Sequence, residues 1–174
     1  MTNAMLLAQT LRDCFQTALG ALATPILPQY VMLRAGAQVT PLLGTDDDEC
    51  CRGLGWVRIA GISGVRDLGD PLNTSCFAQE RTLTLELGAV RCAPTAPVSG
   101  VPTEDQWTNA AVQLDDDQGA MEEAICCAFR DLDPNSSTAR IVEEVAVGEY
   151  EPTGVDGNCI GGTMQVRIRM SACC

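Results

Sequence analysis

Neither histidine nor lysine occurs in this 174-residue chain, and all eleven basic residues are arginine. Without His there is no imidazole base, no Ser-His or Cys-His dyad and no imidazole metal ligand. Without Lys there is no Schiff base and no phosphate-loop lysine. Replacement of every Lys by Arg, beside abundant Ala and Gly, points to a GC-rich genome and says nothing about chemistry. Long apolar runs are also missing. The start, MTNAMLLAQTLRDCF, has no basic leader, its apolar stretch Ala4 to Ala8 is broken by Gln9, Thr10, Arg12 and Asp13, and no run approaches the ~18 residues of a membrane span. The expectation is a protein made in the cytoplasm with no membrane partner.

Basic charge is scarce as well. A formal net charge of −12 and a pI near 4.2 argue against a phosphate-binding surface, which needs clustered Lys and Arg. Acidic charge suits a wall past which DNA slides without sticking. With 46% hydrophobic and 20% charged residues the chain has the composition of a folded protein. Its length fits one domain, residues 1–174, since domains cluster at about 100 to 200 residues.

Cysteine is what the chain has in excess. Ten are present: Cys14, Cys50, Cys51, Cys76, Cys92, Cys126, Cys127, Cys159, Cys173 and Cys174. Three adjacent pairs stand out, yet no CxxC motif of a zinc site occurs. Without an export signal the thiols are expected to be reduced at synthesis and to act as small buried apolar residues. Exposure of a finished particle to oxidising surroundings leaves disulfides open, with Cys50, Cys51, Cys92, Cys126, Cys127 and Cys159 as the disulfide-forming or buried candidates.

Periodicity gives a sequence of elements. Leu7, Leu11, Cys14, Phe15, Ala18 and Leu22 recur at spacings of three and four, which predicts an amphipathic helix over Asn3 to Leu22, stopped between Gly20 and Pro25. Pro and Gly punctuate Thr24 to Gly55, with a short strand at Tyr30 to Leu33. Trp56 to Ser63 reads as a strand. Arg81 to Cys92 reads as a clearer one, with Leu83, Leu85 and Leu87 on one face and Thr82, Thr84 and Glu86 on the other, which implies a sheet covered on a single side. Thr103 to Gln106 forms a capping box, and Trp107, Ala111, Leu114, Gln118, Met121, Ile125 and Ala128 mark one face of a helix running to about Leu132, with Gly119 and Asp115 to Asp117 as a point where it would divide. Strands at Arg140 to Tyr150 and Thr163 to Met170 follow. The class is α+β: a mostly antiparallel sheet with an N-terminal helix and one long central helix packed on one face.

Candidate chemistry is thin. The run Asp46, Asp47, Asp48, Glu49 lacks the alternating register and internal Gly of a calcium loop and reads as a solvated loop tip. The segment GVDGNCIGG is followed by no helix and ends in no GK[ST], so it reads as a turn whose glycines take positive φ. Cys159 within it has no His to activate it as a nucleophile. Glu122 with Glu123 and Glu143 with Glu144 are neighbours that point apart. No catalytic residue, cofactor-binding residue or metal ligand is assigned, and the chain is not expected to be an enzyme.

The order of motifs is more telling. ECCRGLGWVRI, LTLELGAVRCAPT, MEEAICCAF and GNCIGGTMQVRI span nearly the whole chain. In this order they resemble the tail terminator proteins of siphophages that infect high-GC actinobacteria. The low aromatic content, three Phe, two Trp and two Tyr, departs from that family's pattern. The resemblance implies a structural virion protein of the neck that forms a homo-oligomeric, hexameric ring, caps the tail tube, and contacts the major tail tube protein and the head-completion or connector protein. It implies residence in the virion, with assembly in the host cytoplasm, and contact with DNA only in transit. Another neck or tail component, such as a head-closure protein or a tube subunit, shares these features; a small cysteine-dependent or zinc-binding protein is the remaining alternative. Within a ring, the candidate DNA-repelling lumen residues are Asp46, Asp47, Asp48, Glu49, Asp115, Asp116 and Asp117.

Overall fold

The structure is a computed structural model that describes residues 2–34, 52–64, 81–94, 100–130, 140–156 and 158–170. Helix α1 spans Asn3–Ala21 and is followed by a 3-10 turn at Pro28–Tyr30 and strand β1, Val31–Arg34. Strands β2, Leu54–Gly64, and β3, Arg81–Cys92, precede helix α2, Glu104–Ile125. Strands β4, Val142–Asp156, and β5, Cys159–Met170, complete a five-stranded sheet ordered β1-β2-β3-β5-β4. Within this sheet β1 and β2 run parallel and the other neighbours antiparallel. The expected α+β class is what the chain adopts.

Both helices pack on one face of the sheet, and the sequence explains why. On α1 the apolar residues Leu7, Leu11, Phe15 and Leu19 fall on one stripe and are fully buried. Thr2 makes no side-chain cap, and the first turn holds no acidic residue, so packing rather than capping holds this helix. Burying each Leu or Phe side chain contributes about 1.5 to 3 kcal/mol, against about 1 kcal/mol for a good cap. The helix ends where Leu22 turns extended and the Ile26 amide donates to the Leu19 carbonyl at 3.2 Å, which carries Ile26 into the core.

The sheet's covered face follows from alternation in its central strands. Leu83, Leu85, Leu87 and Ala89 of β3 are opposite Ile168, Val166, Met164 and Gly162 of β5. The leucines, Ala89, Val166 and Ile168 are fully buried, and Met164 nearly so. The reverse face differs from the expectation of a sheet open on that side, because β3 is buried on both faces from Glu86 to Val90. Trp56 is the reason: it is opposite Gly88 in register, is 3% exposed, and lies so close that a Cβ at Gly88 would overlap its ring.

Three boundaries depart from the periodicity. Helix α2 is not divided at Gly119 or at the Asp run, since Gly119 faces open space and Asp117 turns inward to an ion pair. Its α-helical part stops at Ile125 and widens into a π turn, Cys126–Arg130, short of the expected Leu132, which lies outside the described residues. The segment GVDGNCIGG does hold the turn between β4 and β5, at Asn158, with Gly157 outside the described residues, but its other glycines are strand residues: Gly154 lies in β4, Gly161 and Gly162 lie in β5, and among the described residues Gly53 is the one with positive φ. Gly162 is required by packing instead, because a Cβ there would overlap the Tyr150 hydroxyl.

Candidate functional site

The cysteines depart from the reduced, apolar reading. Cys14 of α1 is bonded to Cys127 in the π turn, with Cα atoms 6.0 Å apart and a sequence separation of 113. Cys92 and Cys159 are also disulfide-bonded, which removes Cys159 as a candidate nucleophile. Cys126 is a free, half-buried thiol. Cys50 and Cys51 lie outside the described residues, as do Cys76, Cys173 and Cys174. Alternation and spacing gave no signal for these bonds, because Cys14 fits an apolar helical stripe and its partner is remote.

The acidic candidates also separate. Asp46, Asp47, Asp48 and Glu49 lie outside the described residues. Of the second run, Asp115 is exposed and Asp116 half-buried, but Asp117 is fully buried and cannot belong to a solvent-facing wall. Its carboxylate accepts from Arg91 Nη2 at 2.6 Å and from Nε at 2.7 Å. Arg91 Nη1 in turn donates to the Thr24 carbonyl at 2.8 Å. One buried guanidinium thus joins α2, β3 and the segment after α1. Burial pushes the Asp117 carboxyl above its ordinary range, Arg91 draws it back by hydrogen bond and charge, and Asp116 adds an upward push.

Tyr150 sits beside this pair. Its hydroxyl is buried with no hydrogen-bond partner among the described residues, and its pKa is pushed up to about 12, first by burial and then by the negative charge of Asp117. Asp117 is fully buried and Tyr150 half-buried, so the cluster has the character of a structural tie.

The surface features are on the reverse face of the sheet. Register places Arg34 of β1, Arg58 of β2 and Arg167 and Arg169 of β5 on this side, a grouping hidden in a sequence whose arginines look scattered. Arg58 binds Glu86 through two 2.6 Å hydrogen bonds, and Glu86 also accepts from Trp56 Nε1 at 3.5 Å. Arg169 lies 3.4 Å and 3.3 Å from Glu143 and Glu144. Between β4 and β5 runs an open groove of about 320 Å³, lined by Ala146, Gly148, Thr163, Gln165 and Arg167 together with Glu149 and Glu151. Arg167 is exposed and forms no ion pair among the described residues.

A second exposed surface belongs to α2. Residues 104–109 are all exposed, and the stripe expected to face the core holds only in its second half: Met121, Ile125 and Ala128 are buried, but Trp107 is 43% exposed and Ala111 is exposed, while Ala110, Asp117, Ala120 and Ala124 point inward instead. Among the described residues no helix is long and apolar enough to cross a membrane.

These features define an α+β protein with a disulfide-tied core and two unlike exposed surfaces. No protein-family model and no curated protein matches the chain. Among solved structures it is similar to a chain of the "Virion of native gene transfer agent (GTA) particle", with 11% identity, a TM-score of 0.37, and coverage of 95% of this chain and 97% of that one. An overlap that loose carries no functional argument.

Proposed function

We propose that this chain is a structural protein of a phage-like virion, and more finely a ring-forming tail terminator that caps the tail tube and joins it to the head connector. The order of four motifs carries the reading: ECCRGLGWVRI, LTLELGAVRCAPT, MEEAICCAF and GNCIGGTMQVRI resemble the terminator family along nearly the full chain. Those motifs supply β2, β3, the end of α2 and β5, the elements that build the sheet and its cover. The absence of His and Lys agrees with a role that requires no catalysis.

In this reading the chain acts by self-assembly and by contact with a tube protein and a head-completion protein, with no cofactor, and DNA passes through its lumen. Asp115 and Asp116 are the described residues left to face that DNA; the alternative run, Asp46 to Glu49, lies outside the described residues. Negative-stain electron microscopy of the purified full chain tests the proposal. Isolated rings of fixed stoichiometry are expected. Long tubes would replace the terminator with a tube subunit, and a monomer at every concentration would sink the assembly reading.

A further inference from the structure

We propose that Cys14, Cys126 and Cys127 form a thiol–disulfide exchange site, in which the Cys126 thiol moves the bond from Cys14–Cys127 to Cys14–Cys126. The three cysteines sit on two elements packed against each other, α1 and the π turn that ends α2. Cys127, which carries the bond, is exposed, and Cys14 is half-buried. Cys126, the residue before it, is the free thiol among the described cysteines and is half-buried. A nucleophile and an accessible electrophile are thus neighbours on one turn.

Reach and backbone slack allow the exchange. The Cα atoms of Cys14 and Cys127 are 6.0 Å apart. Consecutive Cα atoms lie about 3.8 Å apart, so the Cα of Cys126 is within roughly 10 Å of that of Cys14. A disulfide needs about 4.4 to 6.8 Å between Cα atoms, and a shift of at most a few ångström therefore closes the new bond. The turn supplies that slack. Its amide ladder has left the α-helical spacing, and the Cys126 amide donates to both the Glu122 and the Glu123 carbonyl, so Cys126 keeps one acceptor as it moves from the other. Ala128 and Phe129, both buried, hold the rest of the turn against the core.

The step balances without an oxidant or a reductant. Cys126 gives its proton to solvent, and its thiolate attacks Cys14 Sγ; the Cys14–Cys126 bond forms as Cys14–Cys127 breaks, and Cys127 leaves as a thiolate that takes a proton back. Attack on Cys127 Sγ instead would close a ring across a single peptide bond, which planar trans geometry resists. The two isomers have the same number of bonds and differ in where the thiol is. Before exchange it is the half-buried Cys126, and afterwards it belongs to Cys127, the exposed position, where a thiol or disulfide of another molecule meets it.

The experiment holds the oxidised full chain at alkaline pH without added thiol, traps free thiols with N-ethylmaleimide, and assigns the labelled residue from fragment ions that separate Cys126 from Cys127. Circular dichroism verifies that each variant is folded. In wild type the label is expected on Cys127 as well as on Cys126, growing with time and with pH, since the thiolate is the attacking species. Cys126→Ser is expected to lower the labelling of Cys127 by about tenfold or more, because the attacking sulfur is gone. Label confined to Cys126 in wild type would overturn the exchange. Equal labelling of Cys127 in Cys126→Ser would also overturn it, by showing that a different thiol opens the bond. Cys127→Ser, refolded with oxidised glutathione, is expected to join Cys14 to Cys126; a Cys14 left free or joined elsewhere would mean that Cys126 does not reach it, and the proposal fails.

Discussion

Removing the Asp117 carboxylate isolates the buried tie between α2 and β3. In Asp117→Ala the Arg91 guanidinium, 6% exposed, keeps the Thr24 carbonyl and loses both carboxylate bonds. Breaking a buried pair by deleting one partner costs about 3 to 5 kcal/mol, because the surviving charge is left unpaired in low dielectric. Against a total stability of about 5 to 15 kcal/mol for a domain, that is a large fraction. Replacing both partners, as in Arg91→Met with Asp117→Leu, is expected to recover most of the loss, since neither charge then needs solvation. Urea unfolding followed by far-ultraviolet circular dichroism measures all three. A loss under about 1 kcal/mol for Asp117→Ala would place the pair among surface ion pairs and refute the reasoning.

The same carboxyl has a pH signature. Its folded pKa is raised, so the folded chain holds this proton where the unfolded chain has lost it. The contribution is therefore fully present below the unfolded value and is lost as pH rises through the folded one. The stability of wild type relative to Asp117→Asn is expected to fall as pH rises from the ordinary carboxylate value through the raised one; a flat or rising difference would refute the direction.

Tyr150 is expected to ionise late, near the value of about 12, in an ultraviolet absorbance titration, and Tyr150→Phe should abolish that late phase. The same substitution should cost little stability, because the hydroxyl has no partner to lose among the described residues. Gly88→Ala must displace Trp56 and is expected to destabilise by about 1 to 3 kcal/mol, with a red shift in tryptophan emission as Trp56 leaves its buried site. Replacing Cys14 and Cys127 together by Ser opens a loop of 113 residues and should lower stability by about 4 to 5 kcal/mol in a urea melt under non-reducing conditions; no loss would mean the bond is absent in solution.

What the sequence reveals and conceals divides along physical lines. β3 is legible to the residue because Leu and Thr alternate through it, and α2 begins where its capping box says, with the Gln106 amide donating to Thr103 Oγ1 at 3.3 Å. β4 runs on from the expected Tyr150 to Asp156 because an edge strand tolerates Pro152 and Gly154, which the alternation rule counts as breakers. The inward face of α2 is read correctly at Met121, Ile125 and Ala128 and missed in its first half, where Asp117 is buried in place of an apolar residue and its partner Arg91 is 26 residues away. Strand order hides the arginine face: Arg34, Arg58 and Arg167 are seen to share one side of the sheet only when β1, β2, β3 and β5 are laid together.

The position of β5 inside the sheet sets the order in which this chain can be built. It lies between β3 and β4, and its pairing with β3 spans the whole of α2. During synthesis one flank of β3 therefore waits unpaired until Met170, the last residue of β5, has left the ribosome. Folding dominated by such remote pairings is slow, and an unpaired central strand is a template for association with other chains. A ribosome stalled within β4 would release a sheet with an open seam, so quality control of this protein is decided by its completion more than by any local helix.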